Sequence, residues 1–186
     1  MVTQINDKFV SAIFLNQSDI GIENSVYPET QINLYGDNKA LFTLGALFNL
    51  VQKETNLVIY LVGSSDKDFD FVFFHGTSNP LSFKDLFEIK RQASKLKKPK
   101  KYCLEINAEM AIDRLNESWK LNDLYSIRSE GQLISMSCNL LGLRLAKVIC
   151  KSLIETGEGH THFDGFSTKR SLELILRNKE TDWMFQ

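Results

Sequence analysis

Three side chains at alternating positions of the segment 157–164 are the best candidates for chemistry in this sequence. They are His160, His162 and Asp164. Because alternate residues of a β-strand point to the same face of a sheet, these side chains would project together. Two imidazoles and a carboxylate are a ligand set that proteins use for zinc. A polar strand face that meets solvent or a partner protein gives the same pattern, and we favour this second interpretation and predict no metal and no cofactor.

Acidic residues gather at two predicted hairpins, one in each half of the chain. Exposed carboxylates of this kind can steer a basic protein toward a surface, although loops that only keep a protein soluble look the same. Together with the histidines, they define the predicted partner-binding residues. These are Asp66, Asp68, Asp70, Glu158, His160, His162 and Asp164.

Other kinds of chemistry find little support in the residues. There is no G-x-S-x-G sequence and no glycine cluster that could hold a phosphate. Cys103, Cys138 and Cys150 form no CxxC pair and lie in apolar surroundings, so we expect reduced, mostly buried thiols. Seven of the twelve residues in 90–101 are Lys or Arg, but no aromatic residue lies among them to stack on bases. We therefore predict neither an enzyme nor a nucleic-acid-binding protein.

The composition is that of an ordinary globular protein. With 186 residues, 43% of them hydrophobic, and a net charge of −1, the chain can bury a core without disulfides. We expect one domain, 1–186. The start lacks the pattern of a secretion signal, and no apolar run approaches the roughly 20 residues of a membrane helix. These features predict a cytoplasmic protein without a membrane partner.

The first half of the chain has the pattern of a β-α-β-β unit. Strands are predicted at 9–15, weakly at 20–23, and at 30–36. The carboxylate of Asp37 can cap the helix that follows, whose apolar residues recur at helical spacing. The apolar sequences NLVIYLV and FDFVFFH flank the turn sequence GSSDKD, which predicts a hairpin.

A second copy of this unit begins 102 residues later, so that 132–178 repeats 30–76. Asn139 stands where Asp37 stood, again at a helix start, and the apolar face of the helix keeps its spacing. The same alignment places Arg177 opposite His75. We predict an internal repeat because the helix cap, the helical face and the hairpin turn all stay in phase.

The segment 80–120 joins the two copies and is predicted to be mainly helical, with a short strand at 101–106 and a second helix that begins after Asn107. Ser82 and Asp85 have the spacing of a capping box, and a further short strand is predicted around Tyr125 and Ile127. Alternating helices and hairpins favour an α+β fold, with helices packed on a mostly antiparallel sheet. The predicted architecture is therefore an α+β domain built from two related β-α-β-β units.

His75 ends an apolar strand and is followed by Gly76 and Thr77. This His-Gly-Thr sequence resembles the motif with which ADP-ribosyltransferases hold the nicotinamide ribose of NAD. That family also has a tyrosine on a later strand and a catalytic glutamate. Tyr102 is the nearest candidate here, but it lacks the usual glycine-rich companion sequence. An NAD-dependent transferase built around His75 is thus an alternative, and we favour an ordinary strand end.

The second copy resembles a small family of bacterial immunity proteins that neutralise polymorphic toxins, including toxins of contact-dependent growth inhibition. The shared pattern is a strand, an Asx or Gly turn, a leucine-rich helix, the sequence Gly-Glu-x-His-x-His on a strand, and a closing strand with Leu-Ile. Gly157, Glu158, His160 and His162 match it, with Gly159 as an additional residue. The helix start, Leu-Leu-Gly, departs from the family, which usually has a charged pair and glycine there.

The resemblance implies a protein that is not an enzyme. It would bind a cognate toxin domain in the cytoplasm of the producing cell and block the toxin's active site or its access to substrate. If that toxin is a nuclease, its basic cleft would meet the acidic hairpins. A ligand-sensing or scaffold module without a toxin partner is the other alternative.

Overall fold

The computed structural model describes residues 1–5, 8–16, 19–25, 30–65, 68–95, 123–163 and 167–186. In these ranges the strands are β1 (Val2–Ile5), β2 (Lys8–Asn16), β3 (Gly21–Ser25), β4 (Gln31–Gly36), β5 (Leu57–Val62), β6 (Asp70–His75), β7 (Tyr125–Glu130), β8 (Leu133–Cys138), β9 (His160–His162) and β10 (Glu173–Asn178). The helices are α1 (Asn38–Lys53), α2 (Phe83–Ala93) and α3 (Leu140–Thr156), with a 3₁₀ helix at Trp183–Phe185. No helix of the described ranges is long and apolar enough to span a membrane.

Part of the predicted joining segment falls outside these ranges. Helix α2 lies within 80–120, as expected, whereas the strand predicted at 101–106 and the helix predicted after Asn107 belong to the residues that are not described. Cys103 also lies there. Strand β1 is not predicted from the sequence, because it has only four residues and only two of them, Val2 and Ile5, are apolar.

The described strands form two sheets. The first has the order β1-β2-β5-β6-β8-β7, and the second has the order β3-β4-β10-β9. Most neighbouring strands run antiparallel, while β2 with β5, β6 with β8, and β4 with β10 run parallel. The predicted α+β class with mostly antiparallel pairing is confirmed, and the strands divide between two sheets where one was expected.

Each sheet combines strands from both predicted copies. In the first sheet, β6 of the first copy pairs with β8 of the second, and in the second sheet β4 of the first copy pairs with β10 of the second. Helix α1 therefore connects the second sheet to the first, and α3 connects the first sheet to the second. The two copies are interlocked rather than placed side by side.

The two segments contain the same elements in the same order, and their strand registers locate the residues that correspond. Gly36 pairs with Asn178, and Cys138, which lies 102 positions after Gly36, pairs with His75. The position equivalent to His75 is therefore Asn178, 103 residues later. The expectation that Arg177 lies opposite His75 is wrong by one residue, because the connection between β9 and β10 is one residue longer, and connections tolerate insertions that strands do not.

The helices begin where the sequence predicts. Asp37 accepts a hydrogen bond from the Ala40 N–H at 2.7 Å, and Asn139 accepts one from the Gly142 N–H at 2.8 Å. Ser82 and Asp85 form the reciprocal hydrogen bonds of a capping box. Each side chain pairs an amide that the first helical turn leaves without a partner, so the helix starts are set locally.

One large core joins both sheets to α1 and α3. The apolar residues that recur at helical spacing along these two helices are in it: Leu41, Leu44, Leu47, Phe48, Val51, Leu143, Ala146, Ile149, Cys150 and Leu153. A smaller core covers the opposite face of the first sheet beneath α2, and includes Val58, Tyr60, Val72, Phe74, Leu86 and Ile89. The corresponding face of the second sheet carries mostly polar side chains instead.

Candidate binding site

The outer face of the second sheet brings two of the predicted histidines together. In the register, His160 pairs with Arg177, which pairs with Tyr35, and His162 pairs with Ile175, which pairs with Asn33. Since Leu174 and Leu176 point into the large core, their alternate neighbours point the other way. These side chains therefore form two adjacent rows on one face, which we call the histidine face.

The histidine face differs from its counterpart in the first sheet. His160 corresponds to Val58 and His162 to Tyr60, both of which are fully buried beneath α2. The side chains of His160 and His162 are instead 31% and 45% exposed. The same strand positions are thus packed beneath a helix in one sheet and occupied by partly exposed histidines in the other.

Asp182 anchors the polar network of the histidine face, and its side chain is fully buried. Its Oδ2 accepts a hydrogen bond from the guanidinium of Arg177 at 2.8 Å and lies 3.2 Å from Nδ1 of His160. Its Oδ1 accepts the N–H of Met184 at 2.9 Å. Burial raises the pKa of Asp182, but the Met184 N–H, Arg177 and His160 together hold that pKa below its ordinary value.

Two more contacts fix the orientation of this network. Arg177 donates from Nε to the side-chain oxygen of Asn33 at 2.8 Å, so that its planar guanidinium is held from two sides. Nδ1 of His162 lies 2.5 Å from the carboxylate of Glu173. The two imidazole rings stand edge to face, with their centroids 5.4 Å apart.

The 3₁₀ helix beside the histidine face presents large apolar side chains to solvent. Trp183 is 72% exposed, Met184 49% and Phe185 41%. The ring of Phe185 contacts that of Tyr35, with a centroid separation of 5.3 Å, and the ammonium of Lys179 lies 4.9 Å from the Tyr35 centroid. Asp182 caps the first turn of this helix, so the exposed group has a defined position.

Of the other predicted partner-binding residues, Glu158 lies near the histidine face. It is exposed between α3 and β9, and its carbonyl accepts a hydrogen bond from Thr181 at 3.1 Å. Asp68 is also exposed but belongs to the hairpin of the first sheet, where it accepts the Ser65 N–H at 2.8 Å. Asp66 and Asp164 lie outside the described residues.

Asp70 requires a correction, because it is buried rather than exposed. Its side chain is 7% exposed, forms an ion pair with Lys90 of α2, and accepts the N–H of Gly63 at 3.1 Å. A strand-end carboxylate was expected to face a partner, yet the basic side of α2 passes directly over it. Asp70 therefore holds α2 and the hairpin turn together.

His75, the residue considered for an NAD site, is buried at the end of β6. It is 6% exposed, and its Nδ1 accepts a hydrogen bond from the Ser78 N–H at 3.2 Å. Tyr102, the second residue considered for an NAD site, lies outside the described residues. Cys138 and Cys150 are buried, and burial raises the pKa of both thiols, which disfavours the nucleophilic thiolate.

Sequence reasoning missed several residues of this site. Glu173 and Arg177 lie four positions apart on β10 and therefore on the same face, with Ile175 between them, which is a signal that this face is partly polar. Asp182 followed by Trp-Met-Phe has the form of a capped turn. No sequence pattern indicates that Trp183, Met184 and Phe185 are exposed, because apolar residues are expected to be buried unless the tertiary structure leaves them uncovered.

Comparison of the chain with protein-family models, with curated proteins and with solved structures gives no match. The resemblance to immunity proteins therefore stays a prediction.

Proposed function

We propose that this chain is a binding protein whose partner docks on the histidine face and its 3₁₀ helix. The observation that carries the proposal is the exposure of Trp183, Met184 and Phe185 beside a rigid polar network. Adjacent exposed apolar residues mark interaction sites, and tryptophan is the residue type most often found to dominate binding energy.

The network beneath these residues supports binding because it fixes them in advance. Asp182 is held by Arg177 and the Met184 N–H, and Phe185 rests on Tyr35. A surface that is already ordered loses little conformational freedom when a partner arrives. The apolar group would form the centre of the interface, and the exposed side chains of Glu158 and His162 would lie at its polar edge.

For the partner we propose a toxin domain, so that the chain acts as an immunity protein in the cytoplasm of the toxin-producing cell. This assignment rests on the resemblance of Gly157, Glu158, His160 and His162 to the immunity pattern, and these residues border the proposed surface. The chain would act by occupying the toxin's active site or blocking substrate access, without catalysis of its own. A basic nuclease would suit the acidic side chain of Glu158.

Binding to the toxin domain encoded beside this chain tests the proposal. We expect a complex at micromolar concentration or below, measured by biolayer interferometry with both proteins purified. Trp183→Ala should weaken it by about 30-fold, the effect of losing about 2 kcal/mol at a central interface residue. Phe42→Ala is the matched control, because Phe42 is an aromatic residue of α1 that is 44% exposed. It should leave the affinity unchanged.

Charge reversal tells which hairpin faces the partner. Glu158→Lys should slow association with a basic toxin and flatten its dependence on salt, because Glu158 lies beside the proposed surface. Asp68→Lys, on the hairpin of the first sheet, should leave both unchanged. The absence of a complex would refute the toxin assignment, and a complex that is insensitive to Trp183→Ala would refute the proposed surface.

A further inference from the structure

The histidine face contains an arrangement that protein binding does not require. Nδ1 of His160 lies 3.2 Å from the carboxylate of Asp182, and Nδ1 of His162 lies 2.5 Å from that of Glu173. A carboxylate that accepts the Nδ1 proton of a neutral imidazole leaves the lone pair on Nε2, where a metal ion can bind. Within the described part of the chain, neither Nε2 has a hydrogen-bond partner.

The spacing of the two rings suits a shared ligand. Two imidazoles that bind one tetrahedral zinc ion through Nε2 have ring centroids about 5 Å apart, because each Zn–N bond is about 2.1 Å long. The rings of His160 and His162 have centroids 5.4 Å apart. Both side chains are partly exposed, at 31% and 45%, so an ion could reach them from solvent.

The carboxylates are themselves held in place. Oδ2 of Asp182 accepts from Arg177, which Asn33 orients in turn, so His160 is aligned by a buried chain of three side chains. Glu173 lies on β10 two residues before Ile175, which pairs with His162, so the side chains of Glu173 and His162 share one face of the sheet. A chance pair of surface histidines would have no such support.

In place of the metal-free strand expected from the sequence, we propose from this geometry that His160 and His162 form a binding site for a zinc-class divalent ion, with Nε2 of each imidazole as ligand. Asp182 and Glu173 are positioning residues that orient the rings. Among the described residues no set of three His, Cys, Asp or Glu side chains is placed to hold a metal, so water or a partner's side chain would complete the coordination. This proposal stands independently of the toxin assignment, since it concerns the isolated chain.

Isothermal titration of the untagged protein with zinc chloride tests the site. We expect one ion per chain, and a loss of affinity of at least about tenfold in both His160→Ala and His162→Ala. Glu155→Gln is the control, because Glu155 is an exposed carboxylate of α3 that contacts Lys151 instead of an imidazole. It should bind zinc like the natural chain.

Glu173→Gln separates positioning from folding. It should weaken zinc binding by about tenfold while leaving the unfolding midpoint of the metal-free protein unchanged, because Glu173 contributes ring orientation rather than a ligand. The visible absorption of bound cobalt should keep its tetrahedral intensity in this variant and lose it in His162→Ala.

A second measurement needs no variant. Substoichiometric copper should broaden the imidazole proton resonances of His160 and His162 and spare those of His75, whose ring is buried. No zinc binding up to about 1 mM, zinc binding that survives replacement of both histidines, or equal broadening of all three histidines would overturn the proposal.

Discussion

Asp182 is the single side chain on which the histidine face depends most. It contacts Arg177, His160 and the amide of Met184, and it is fully buried. A buried guanidinium that loses its carboxylate leaves an uncompensated charge, which costs more than the pair itself contributes. Its removal should therefore affect stability as well as binding.

Asp182→Asn should lower the free energy of unfolding by about 3 kcal/mol at neutral pH, because Arg177 would remain buried without a counter-charge. The folded-state pKa of Asp182 lies below its ordinary value of 3.8, so the carboxylate stabilises the fold fully above that value. Its contribution is lost as the pH falls through the lowered pKa. Urea unfolding of both proteins across the acid range should show the difference shrinking, and a constant difference would contradict this account.

Asp70 and Asp68 lie on the same hairpin and should behave differently. Asp70→Asn removes the charge paired with Lys90 in a buried setting, and should cost about 1–3 kcal/mol of stability. Asp68→Asn should change stability by less than about 0.5 kcal/mol, because the exposed amide oxygen can still accept from Ser65. Chemical denaturation of the two variants in parallel would measure this, and equal losses would mean that burial does not distinguish them.

The position of α3 depends on a close contact with the backbone before β7 as well as on its N-terminal cap. A side chain at Gly142, in the first turn of α3, would place its Cβ 2.3 Å from the Leu124 carbonyl oxygen. That oxygen also accepts the N–H of Asn139, so it cannot move away without loosening the helix start. The glycine thus lets the chain before β7 pack against α3.

Gly142→Ala should destabilise the protein by about 1–3 kcal/mol, although alanine is the better helix former by about 1 kcal/mol. Ser152→Ala, at a half-buried position later in the same helix, is the control and should be neutral within about 0.5 kcal/mol. Thermal unfolding followed by circular dichroism would compare them. If Gly142→Ala stabilises the protein, the backbone at Leu124 can shift away from the new methyl group at little cost.

The molecule as a whole is tied together by the exchange of strands between the two copies. Both sheets and both long helices share the large core, and in each sheet one parallel strand pair, β6 with β8 or β4 with β10, joins one copy to the other. Because each sheet contains strands from both copies and one core joins the two sheets, we expect the two sheets to unfold together.

Leu176→Ala tests this coupling from the second sheet. Leu176 is buried in the large core, so its truncation should cost about 2–5 kcal/mol. Native-state amide hydrogen exchange should then show the same loss of protection in β5 and β6 of the first sheet as in β4 and β10. If the amides of β5 and β6 in the variant keep the protection that they have in the unsubstituted protein, the two sheets unfold separately.

Local signals in the sequence predict most of the helices and strands, but they predict few of the contacts between them. Asp37, Asn139 and Ser82 cap helices through hydrogen bonds within four residues, and the apolar spacing of α1 and α3 directly reflects helical geometry. Asp70 was misjudged, because its exposure depends on α2, which packs over it from a distant part of the sequence. The histidine pair was found, while Asp182, twenty residues away, was not.

By itself, then, the sequence determined the helix starts, the buried helical faces, the hairpins and the alternation that sets His160 beside His162, since each depends on neighbours along the chain. Only the tertiary structure decided that the strands divide into two sheets with exchanged partners, that Asp70 is buried, and that Trp183 is exposed beside Asp182. Those outcomes depend on which segments, distant in the sequence, pack against one another. Burial of this kind is decided by tertiary packing rather than by any local sequence pattern.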